Sequence, residues 1–328
     1  MKIITGGAGF IGSAICWRLN TLGIEDIIIV DTDMHWDKEK NLANLKYADF
    51  MHKDLFLGEI MQDAFYHKID TIYHMGACSS TTEDDMEFLI ENNVEYSKHL
   101  ANWCMKKDVR FIYASSGATY GNGECGFDDD ASIIPKLQPL NKYGLSKQIF
   151  DQWIIEKNLY DKVVGLKYFN VFGPNENHKN DMKSMVNKSY HQIAKTGKLK
   201  LFKSLNPKYR DGEQKRDFIY VKDAVEMTIF FDVMNEKGKT QNGIYNIGCG
   251  KAHTWLDVAN AIFKTLGKEP QIEFIDMPEN IMNQYQYFSE AKIDRIKNAG
   301  CKNEITGLEK AVDEYIKDYL IPDKYLSL

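Results

Sequence analysis

The hydrophobic pattern in the first half of the chain alternates between short apolar segments and longer segments with helical periodicity. The short segments are rich in Ile, Val, Tyr and Phe, and they predict strands at residues 2–5, 26–31, 71–74, 110–114 and 163–168. Helix-length segments lie between them at residues 10–22, 83–106 and 141–157. Because strands that are apolar on both faces are typical of parallel sheets covered by helices, this half is predicted to form a doubly wound parallel α/β fold.

The second half is less regular and predicts a smaller unit. A polar stretch at residues 173–180 precedes a predicted helix at 181–194, and predicted strands at 199–202 and 217–220 flank a polar loop at 206–215. Further helices are predicted at residues 222–234, 254–266 and 308–319. We therefore expect a first domain over residues 1–170 and a smaller C-terminal α/β domain over residues 171–328. The pattern leaves open whether segments near residues 217–250 return to the first domain.

Composition and charge restrict the class of protein. Apolar residues make up 44% and charged residues 27% of the 328 residues, which is typical of a globular chain and argues against a disordered one. The formal charge of −6 leaves no basic excess for nucleic acid or an anionic membrane surface. No apolar run reaches the roughly 20 residues of a membrane span, and the N-terminal segment lacks a signal-peptide pattern. We therefore expect a cytoplasmic protein without nucleic-acid or membrane partners.

The cysteines are scattered along the chain. The sequence has 6 of them and no C-x-x-C pair. Disulfide frameworks and zinc sites both favour closer or paired spacing. We therefore expect reduced thiols and no metal site.

A glycine motif joins the first predicted strand to the first predicted helix. Gly6, Gly9 and Gly12 form a G-x-x-G-x-x-G pattern. Glycines at this spacing allow a tight turn, close approach of the main chain to a diphosphate, and close packing of the helix on the strand. The N-terminus of the helix also offers free N–H groups and a partial positive charge to phosphates. In this context the motif favours dinucleotide binding in a Rossmann fold over a turn with only a structural role.

Residues after the second predicted strand bear on the choice of dinucleotide. Asp31 ends that strand about 20 residues after the glycine motif, where an acid bonds the adenosine ribose hydroxyls and favours NAD. Lys38 follows Asp31 closely in sequence, and Lys53 lies further along the chain. Either ammonium could neutralise the 2′-phosphate of NADP, or both could be solvated surface lysines. These residues leave NAD and NADP open.

A candidate catalytic set consists of Tyr143, Lys147 and Ser116. Tyr143 and Lys147 are spaced to share one face of a predicted helix. A phenol with a pKa of about 10 is a poor base at neutral pH, and a nearby ammonium favours its phenolate. Ser116 follows the fourth predicted strand, at the edge of the sheet where ligands bind, and its hydroxyl could hold a substrate oxygen. A Tyr-x-x-x-Lys pair alone is commonly an exposed helix pair, but the combination with Ser116 and the glycine motif indicates hydride transfer with a nicotinamide cofactor.

With these residues, and with residues 168–174 and 216–223, the sequence resembles the extended short-chain dehydrogenase/reductase family over essentially its whole length. The two segments are similar to those of its sugar-nucleotide branch. Dehydratases of this branch carry an Asp-Glu pair where Gly117 and Ala118 stand in this chain. Neither residue can move a proton, so the resemblance disfavours dehydration.

Four segments carry a more specific resemblance. Residues 74–83, 96–98, 115–121 and 175–182 resemble the ADP-heptose 6-epimerase family. The resemblance implies an isomerase that inverts C6 of ADP-D-glycero-D-manno-heptose by transient oxidation with bound NADP, in lipopolysaccharide core precursor synthesis. It also implies a mainly substrate-binding second domain and a homo-oligomer, specifically a pentamer. The alternatives are a 4-epimerase or 4-reductase of another nucleotide sugar, and a non-enzymatic cofactor-sensing or scaffold protein.

The resemblance also assigns site residues. Tyr143 would serve the substrate oxygen in one orientation and Lys179 in the other, which requires a lowered pKa for Lys179. Together with the glycines, Asp31, Lys38, Lys53, Tyr143 and Lys147, the residues expected to contact the cofactor are Phe10, Ile11, Thr32, Met75, Gly76, Ala77, Cys78, Ser79, Asn92, Val171 and Lys179. The residues expected to contact the ADP-sugar are Ser116, Asn170, Asp181, Lys188, Phe202, Lys203, Ser204, Leu205, Arg216 and Tyr285.

Arg216 is the substrate residue with the strongest physical basis, because its planar fork suits diphosphate oxygens. The alternative for it is a structural salt bridge. Three departures from the family pattern are expected to concern the substrate side. Lys167 stands where the family has Arg, Lys188 stands where it has His, and residues 206–214 form a longer polar insertion.

Overall fold

The computed structural model describes residues 1–32, 34, 36–233, 241–282 and 284–328. The strands are β1 (Lys2–Thr5), β2 (Ile27–Asp31), β3 (Asp49–His52), β4 (Thr71–His74), β5 (Arg110–Ser116), β6 (Val164–Tyr168), β7 (Asn170–Phe172), β8 (Leu199–Phe202), β9 (Lys215–Tyr220), β10 (Gly243–Ile247), β11 (Ala252–Thr254) and β12 (Ile272–Ile275). The α-helices are α1 (Phe10–Thr21), α2 (Trp36–Leu42), α3 (Lys53–Met61), α4 (Met86–Leu89), α5 (Tyr96–Lys107), α6 (Lys142–Glu156), α7 (Met185–Thr196), α8 (Val221–Ile229), α9 (Trp255–Thr265), α10 (Glu279–Met282), α11 (Asp294–Asn298) and α12 (Leu308–Glu314). Shorter helical turns include the 3₁₀ segments Gly117–Tyr120 and Asn177–Met182.

The main sheet is parallel throughout and confirms the predicted doubly wound fold. In the described part of the chain its 7 strands follow the order β3-β2-β1-β4-β5-β6-β10. The strand order reverses between β1 and β4. The connection after β1 leads to β2 on one side of the sheet, and the connection after β4 leads to β5 on the other side. Ligands of such folds bind at the carboxyl ends of the strands beside this reversal. The glycine motif and the loop after β4 both lie there.

Two smaller sheets stand beside the main one. Strands β7, β9 and β11 form one of them, and β8 pairs with β12 in the other. The sequence pattern leaves open whether segments near residues 217–250 return to the first domain. Strand β10 lies in this region and pairs with β6 in the main sheet, with Gly243 opposite Val164. The division of the chain at residue 170 stays a prediction.

Apolar side chains from both faces of the main sheet are buried under helices. Ile3 packs in a cluster with Phe56 of α3 and Phe150 of α6, whereas its neighbour Ile4 packs with Ile15 of α1 on the other face. Successive strand residues point to opposite faces, so both positions must be apolar when both faces are covered. Full burial of each such side chain contributes about 1.5–3 kcal/mol.

The structure differs from the sequence expectations at several boundaries. Strand β3 was not predicted, because it is a short edge strand whose sequence, Asp-Phe-Met-His, has no β-branched residue and no fully buried position. The helix expected at 181–194 begins later, at Met185, because the Ser184 hydroxyl accepts a hydrogen bond from Asn187 N and caps the helix there. The helix expected at 222–234 ends at Ile229 as α8, and Met234 lies outside the described residues.

Two further observations concern the length of the helices and the state of the cysteines. Within the described ranges, no helix combines the length and the apolar character that crossing a membrane requires. The six cysteines are free thiols, as expected from their spacing.

Candidate active site

Two adjoining cavities lie at the carboxyl ends of the strands. The smaller one, of about 510 Å³, is lined by the glycine motif, the end of β2 and the loop after β4. The larger one, of about 850 Å³, is lined by the ends of β5 and β7, by α6 and α7, and by β8 and β9. Phe10, Ile11, Met75 and Lys179 line both cavities. A ligand could therefore extend from one cavity into the other.

The glycine motif has the geometry that a dinucleotide requires. Gly6 has a φ of +63°, and a Cβ atom placed on it would lie 2.6 Å from Gly76 Cα. A Cβ atom on Gly12 would lie 2.2 Å from the Gly6 carbonyl oxygen. Gly9 precedes α1 and gives no side-chain cap to its N–H groups, which are therefore available to phosphate oxygens. These residues fit a bound dinucleotide.

The end of β2 holds an acid and a lysine together. Asp31 is 5% exposed, and its carboxylate accepts hydrogen bonds from Ala8 N at 3.0 Å and from Lys38 Nζ at 2.8 Å. Lys53 Nζ donates to Asn92 Oδ1 at 3.1 Å on another wall of the smaller cavity. The two lysines thus line the same cavity as the acid.

Ser116, Tyr143 and Lys147 line one wall of the larger cavity. Helix α6 begins immediately before Tyr143, because the Asn141 side chain accepts a hydrogen bond from Gly144 N at 2.7 Å. One turn later, Lys147 is 6% exposed and donates to the Ala114 carbonyl oxygen at 2.9 Å. The predicted catalytic set is therefore brought together in space.

Burial controls the protonation of this set. It raises the pKa of Tyr143, and a hydrogen bond with Ser116 lowers that pKa in part. Burial lowers the pKa of Lys147 to about 8, and the charge of Asp151 opposes this change. Lys147 is therefore still mostly an ammonium at pH 7 and can stabilise a phenolate at Tyr143.

Lys179 reaches the same cavity from a different element, the 3₁₀ segment Asn177–Met182. Its ammonium lies 5.2 Å from the centroid of the Phe10 ring. Burial lowers the pKa of Lys179, the charge of Glu176 raises it, and the charge of Lys188 lowers it further. The amine is therefore easier to deprotonate than that of an exposed lysine.

Side-chain hydrogen bonds hold the segment that carries Lys179. Glu176 is fully buried at 0% exposure, and its carboxylate accepts bonds from the Ser184 hydroxyl at 2.7 Å and from Gly173 N at 3.3 Å. His178 forms a hydrogen bond with the Asn41 side chain at 3.1 Å. Burial lowers the pKa of His178 to about 4, so its ring is neutral near pH 7.

Arg216 lies at another part of the larger cavity and has no carboxylate partner among the described residues. It is 6% exposed, and its guanidinium donates to the Lys215 carbonyl oxygen at 2.9 Å. Burial lowers its pKa to about 10, which leaves it charged at neutral pH. A buried, unpaired guanidinium in a cavity wall suits an anionic ligand, and the alternative of a structural salt bridge finds no support.

Most of the expected site residues line the cavities. The expected cofactor residues in the lining of the smaller cavity are Gly6, Gly9, Phe10, Ile11, Gly12, Asp31, Thr32, Lys38, Lys53, Met75, Gly76, Ala77, Cys78, Ser79, Asn92 and Lys179. Tyr143, Lys147 and Val171 line the larger cavity, as do the expected substrate residues Ser116, Asn170, Lys188, Phe202, Arg216 and Tyr285. Their roles stay predictions.

Four expected substrate residues lie outside both linings. Asp181 is exposed, and its carbonyl oxygen accepts a bond from Lys188 Nζ at 3.0 Å. Lys203 pairs with Asp276 at 2.9 Å, Ser204 N donates to Asp211 Oδ1 at 2.7 Å, and Leu205 is 55% exposed. Direct contact of these side chains with a ligand in the cavity is not supported by this geometry.

Two of the three departures from the family pattern do not reach the substrate side. Lys167 is 0% exposed and pairs with Asp151 at 2.5 Å, so the expectation that it concerns the substrate is wrong. Its register partner on β5 is Ser115, whereas Ser116 is opposite Tyr168, and successive residues face opposite sides of the sheet. No residue of 206–214 lines the larger cavity, and this insertion forms a loop between β8 and β9.

Sequence reasoning missed several residues of the lining. His178, Met182, Gln192, Trp255, Gln284 and Gln286 line one or both cavities. His178 adjoins Lys179 within residues 175–182, a segment that carries the family resemblance. This position next to Lys179 is the sequence signal that could have identified His178 as a lining residue. Trp255 and the glutamines carry no local pattern, because only the tertiary fold brings α9 and residues 284–289 to this wall.

Comparison with known proteins agrees with the geometry. The NAD dependent epimerase/dehydratase family matches residues 2–248. The chain is 49% identical over 320 residues to the ADP-L-glycero-D-manno-heptose-6-epimerase of Nitratidesulfovibrio vulgaris (strain DP4), with 98% of each chain covered. It is 45% identical over 336 residues to the enzyme of that name from Fusobacterium nucleatum subsp. nucleatum, with 99% of this chain and 100% of the relative covered.

Solved structures share the fold. The ADP-L-glycero-D-manno-heptose-6-epimerase of Helicobacter pylori has a TM-score of 0.79 at 24% identity, with 97% of this chain and 95% of that one covered. A UDP-N-acetylglucosamine 4-epimerase from Methanobrevibacter ruminantium M1 has a TM-score of 0.78 at 22% identity, with 98% of each chain covered. The chain belongs to the NAD dependent epimerase/dehydratase family, and its cofactor is a nicotinamide dinucleotide.

Proposed function

We propose that this protein converts ADP-D-glycero-D-manno-heptose to ADP-L-glycero-D-manno-heptose by transient oxidation and re-reduction at C6. The observation that carries the proposal is the presence of two proton-transfer groups, Tyr143 and Lys179, in the lining of one cavity. The two curated relatives, which match nearly the whole chain, are named for this reaction. The product would enter the synthesis of lipopolysaccharide core precursors.

Ser116, Tyr143 and Lys147 serve the first orientation of the substrate. When bound, the nicotinamide supplies the hydride acceptor and donor for this chemistry. Tyr143 takes the proton of the C6 hydroxyl, and the Ser116 hydroxyl orients the same oxygen. The Lys147 ammonium stabilises the phenolate that Tyr143 must become.

Lys179 serves the second orientation. Inversion requires that the opposite face of C6 be reduced, so the C6 oxygen must then meet a different proton donor. Lys179 is suited to this role because burial lowers its pKa and brings its proton exchange closer to neutral pH. In the reverse reaction the two groups exchange roles.

The residues after Ser116 favour epimerisation over dehydration. Gly117 and Ala118 carry no group that can move a proton. A Cβ atom on Gly117 would lie 3.3 Å from the Phe169 ring, so a larger acidic side chain has little space there. The site therefore lacks the elimination machinery that dehydration needs.

We infer that the resident dinucleotide is NADP. Lys38 and Lys53 line the smaller cavity with Asp31, and Lys38 compensates the charge of that acid. A 2′-phosphate would therefore meet ammonium groups as well as the carboxylate. The mass of the cofactor released on denaturing the purified protein tests this inference, and release of NAD alone would contradict it.

A direct assay tests the reaction. Purified protein with its resident cofactor is incubated with ADP-D-glycero-D-manno-heptose and no added nicotinamide, and the epimers are separated chromatographically. We expect the L-glycero epimer, because oxidation and re-reduction cancel in each turnover. Absence of that product would reject the proposed substrate. Conversion of UDP- or GDP-hexoses instead, with or without consumption of added NADPH, would indicate a 4-reductase or a 4-epimerase.

We further propose a homo-oligomer, a pentamer, located in the cytoplasm. Large apolar side chains are exposed in and after α3, where Leu55 is 66%, Met61 is 62% and Tyr66 is 84% exposed, and an interface could cover them. Free thiols are compatible with a reducing compartment. Light scattering of the purified protein gives the assembly mass, and the mass of a single chain would reject the oligomer.

A further inference from the structure

We propose that Trp255 is a positioning residue for the diphosphate of the substrate, acting through Arg216 and Tyr285. This inference rests on the proposed function, because it takes ADP as the nucleotide. The guanidinium carbon of Arg216 lies 5.7 Å from the centroid of the Trp255 ring and 5.3 Å from that of Tyr285. The indole N–H of Trp255 donates a hydrogen bond to the Tyr285 hydroxyl at 2.8 Å. The Trp255 side chain thus contacts both Arg216 and Tyr285.

Trp255 is itself firmly held. It is the first residue of α9, which begins with a capping box formed by Thr254 and Asp257. Its main-chain N–H donates to the Gln214 carbonyl oxygen at 3.2 Å, directly before β9. Its ring packs edge-on against Phe218, with 5.3 Å between the centroids. Since Arg216 and Phe218 are both on β9, the indole ties the start of α9 to the strand that carries the guanidinium.

The chemical environment explains why an aromatic residue suits this position. A carboxylate beside Arg216 would neutralise the cation and compete with a diphosphate for its N–H groups. Ring faces stabilise a buried cation by cation–π attraction and leave those N–H groups free. Arg216 has ring contacts and no carboxylate partner among the described residues, so it is stabilised without being neutralised.

The role predicts a change in nucleotide affinity and not in the chemical step. Trp255 touches neither Ser116 nor Tyr143 through any hydrogen bond that the structure shows. W255A should raise the KM of the ADP-sugar and the Kd of ADP about tenfold, because the cation–π contact is lost in a buried site. The value of kcat should stay within about twofold, since remote binding interactions of equal strength in ground and transition states change KM alone. W255F keeps a ring and should recover most of the affinity.

The test is calorimetric titration of the cofactor-loaded protein with ADP and with UDP. The variants are W255A, W255F, Y285F and the double variant W255F/Y285F. W103F is the matched control, because Trp103 belongs to α5, is buried in the core cluster and lines neither cavity. W255F and Y285F, which remove the indole–phenol hydrogen bond and keep both rings, should weaken ADP binding to the same degree, and the double variant should weaken it no further.

The outcomes separate this inference from the proposed function. If the wild type binds ADP and W255A binds it equally well, the positioning role is wrong and the proposed function stands. If the wild type binds UDP and not ADP, the proposed function fails, and the comparison of the variants is made with UDP. If the wild type binds neither nucleotide, both fail. If W255A does not fold, W255F and Y285F decide, and independent effects that add in the double variant would reject the shared hydrogen bond.

Discussion

The two proposed proton-transfer groups, Tyr143 and Lys179, stand on very different supports. Tyr143 belongs to the 15-residue helix α6, which is capped by Asn141 and packed on the main sheet. Lys179 belongs to a six-residue 3₁₀ segment in which Asn180 has a φ of 46°. The first support is regular main chain. The second is an irregular segment held by side chains from elsewhere in the fold.

This difference shows how separable the two halves of the proposed reaction should be. The segment with Lys179 depends on the buried Glu176 carboxylate, whose bonds run to Ser184 and Gly173. Tyr143 depends less on any one side chain, because α6 also buries Phe150 and Ile154 against the sheet. Substitutions around Lys179 should therefore disturb one orientation of the substrate and leave the positions of Ser116, Tyr143 and Lys147 unchanged.

The largest effect should come from Y143F. The variant removes the group that is proposed to take the C6 proton, and general acid–base groups contribute about 10²–10⁴-fold to a rate. We expect kcat to fall by about that factor. Bound cofactor per chain, measured on the denatured protein, should not change, because the glycine motif is untouched. An unchanged kcat would remove Tyr143 from the mechanism.

K179M should have the next largest effect. Methionine has a similar length and no amine, so we expect kcat to fall about 10²-fold through loss of the second proton-transfer group. Transient reduction of the bound nicotinamide by the substrate, followed by absorbance in stopped flow, should persist in K179M and be lost in Y143F. Equal loss of this reduction in both variants would show that the two supports are not separable.

Sequence reasoning reached these two regions unequally. The glycine motif and the Tyr143–Lys147 spacing are local patterns between predicted strands and helices, so their spacing in combination with Ser116 located them. Lys179 lies in a polar stretch without periodicity, and only a family resemblance singled it out. The contacts that hold its segment join distant positions, such as Asn41 and His178, and arise from the tertiary fold.

The fold shows the same division. Strands β1 and β4 were predicted with their observed bounds, because both faces are buried and their apolar runs are continuous. Strand β3 lies at the sheet edge, and β10 carries Asn246, a buried amide that bonds to Tyr120 and to the loop at Phe127. Their sequences satisfy long-range contacts that no local pattern reveals.

E176Q should lower kcat less than K179M does, and it should also shift the pH–rate profile. The carboxylate of Glu176 raises the pKa of Lys179, so its neutralisation should lower that pKa. We expect kcat to fall about tenfold and the Lys179 limb of the pH–rate profile to move to lower pH. E314Q is the control, because Glu314 bonds to Tyr220 and Lys222 away from the cavities. A limb that moves to higher pH would contradict the assignment to Lys179.

The smallest effect should come from a matched pair of helix caps. The Asn141 side chain caps α6, and the Ser184 hydroxyl caps α7 and also bonds to Glu176 at 2.7 Å. N141A and S184A should each cost about 0.5–2 kcal/mol of stability in thermal or denaturant unfolding, the usual cost of losing a cap. Activity should distinguish the two variants. S184A also loosens the Glu176 bonds and should lower kcat about threefold, which corresponds to about 0.7 kcal/mol. N141A should change kcat less. Equal losses of activity would mean that contacts other than those of Glu176 and Ser184 also hold the Lys179 segment. Helix α6 and the 3₁₀ segment would then be equally sensitive to the loss of a single side chain.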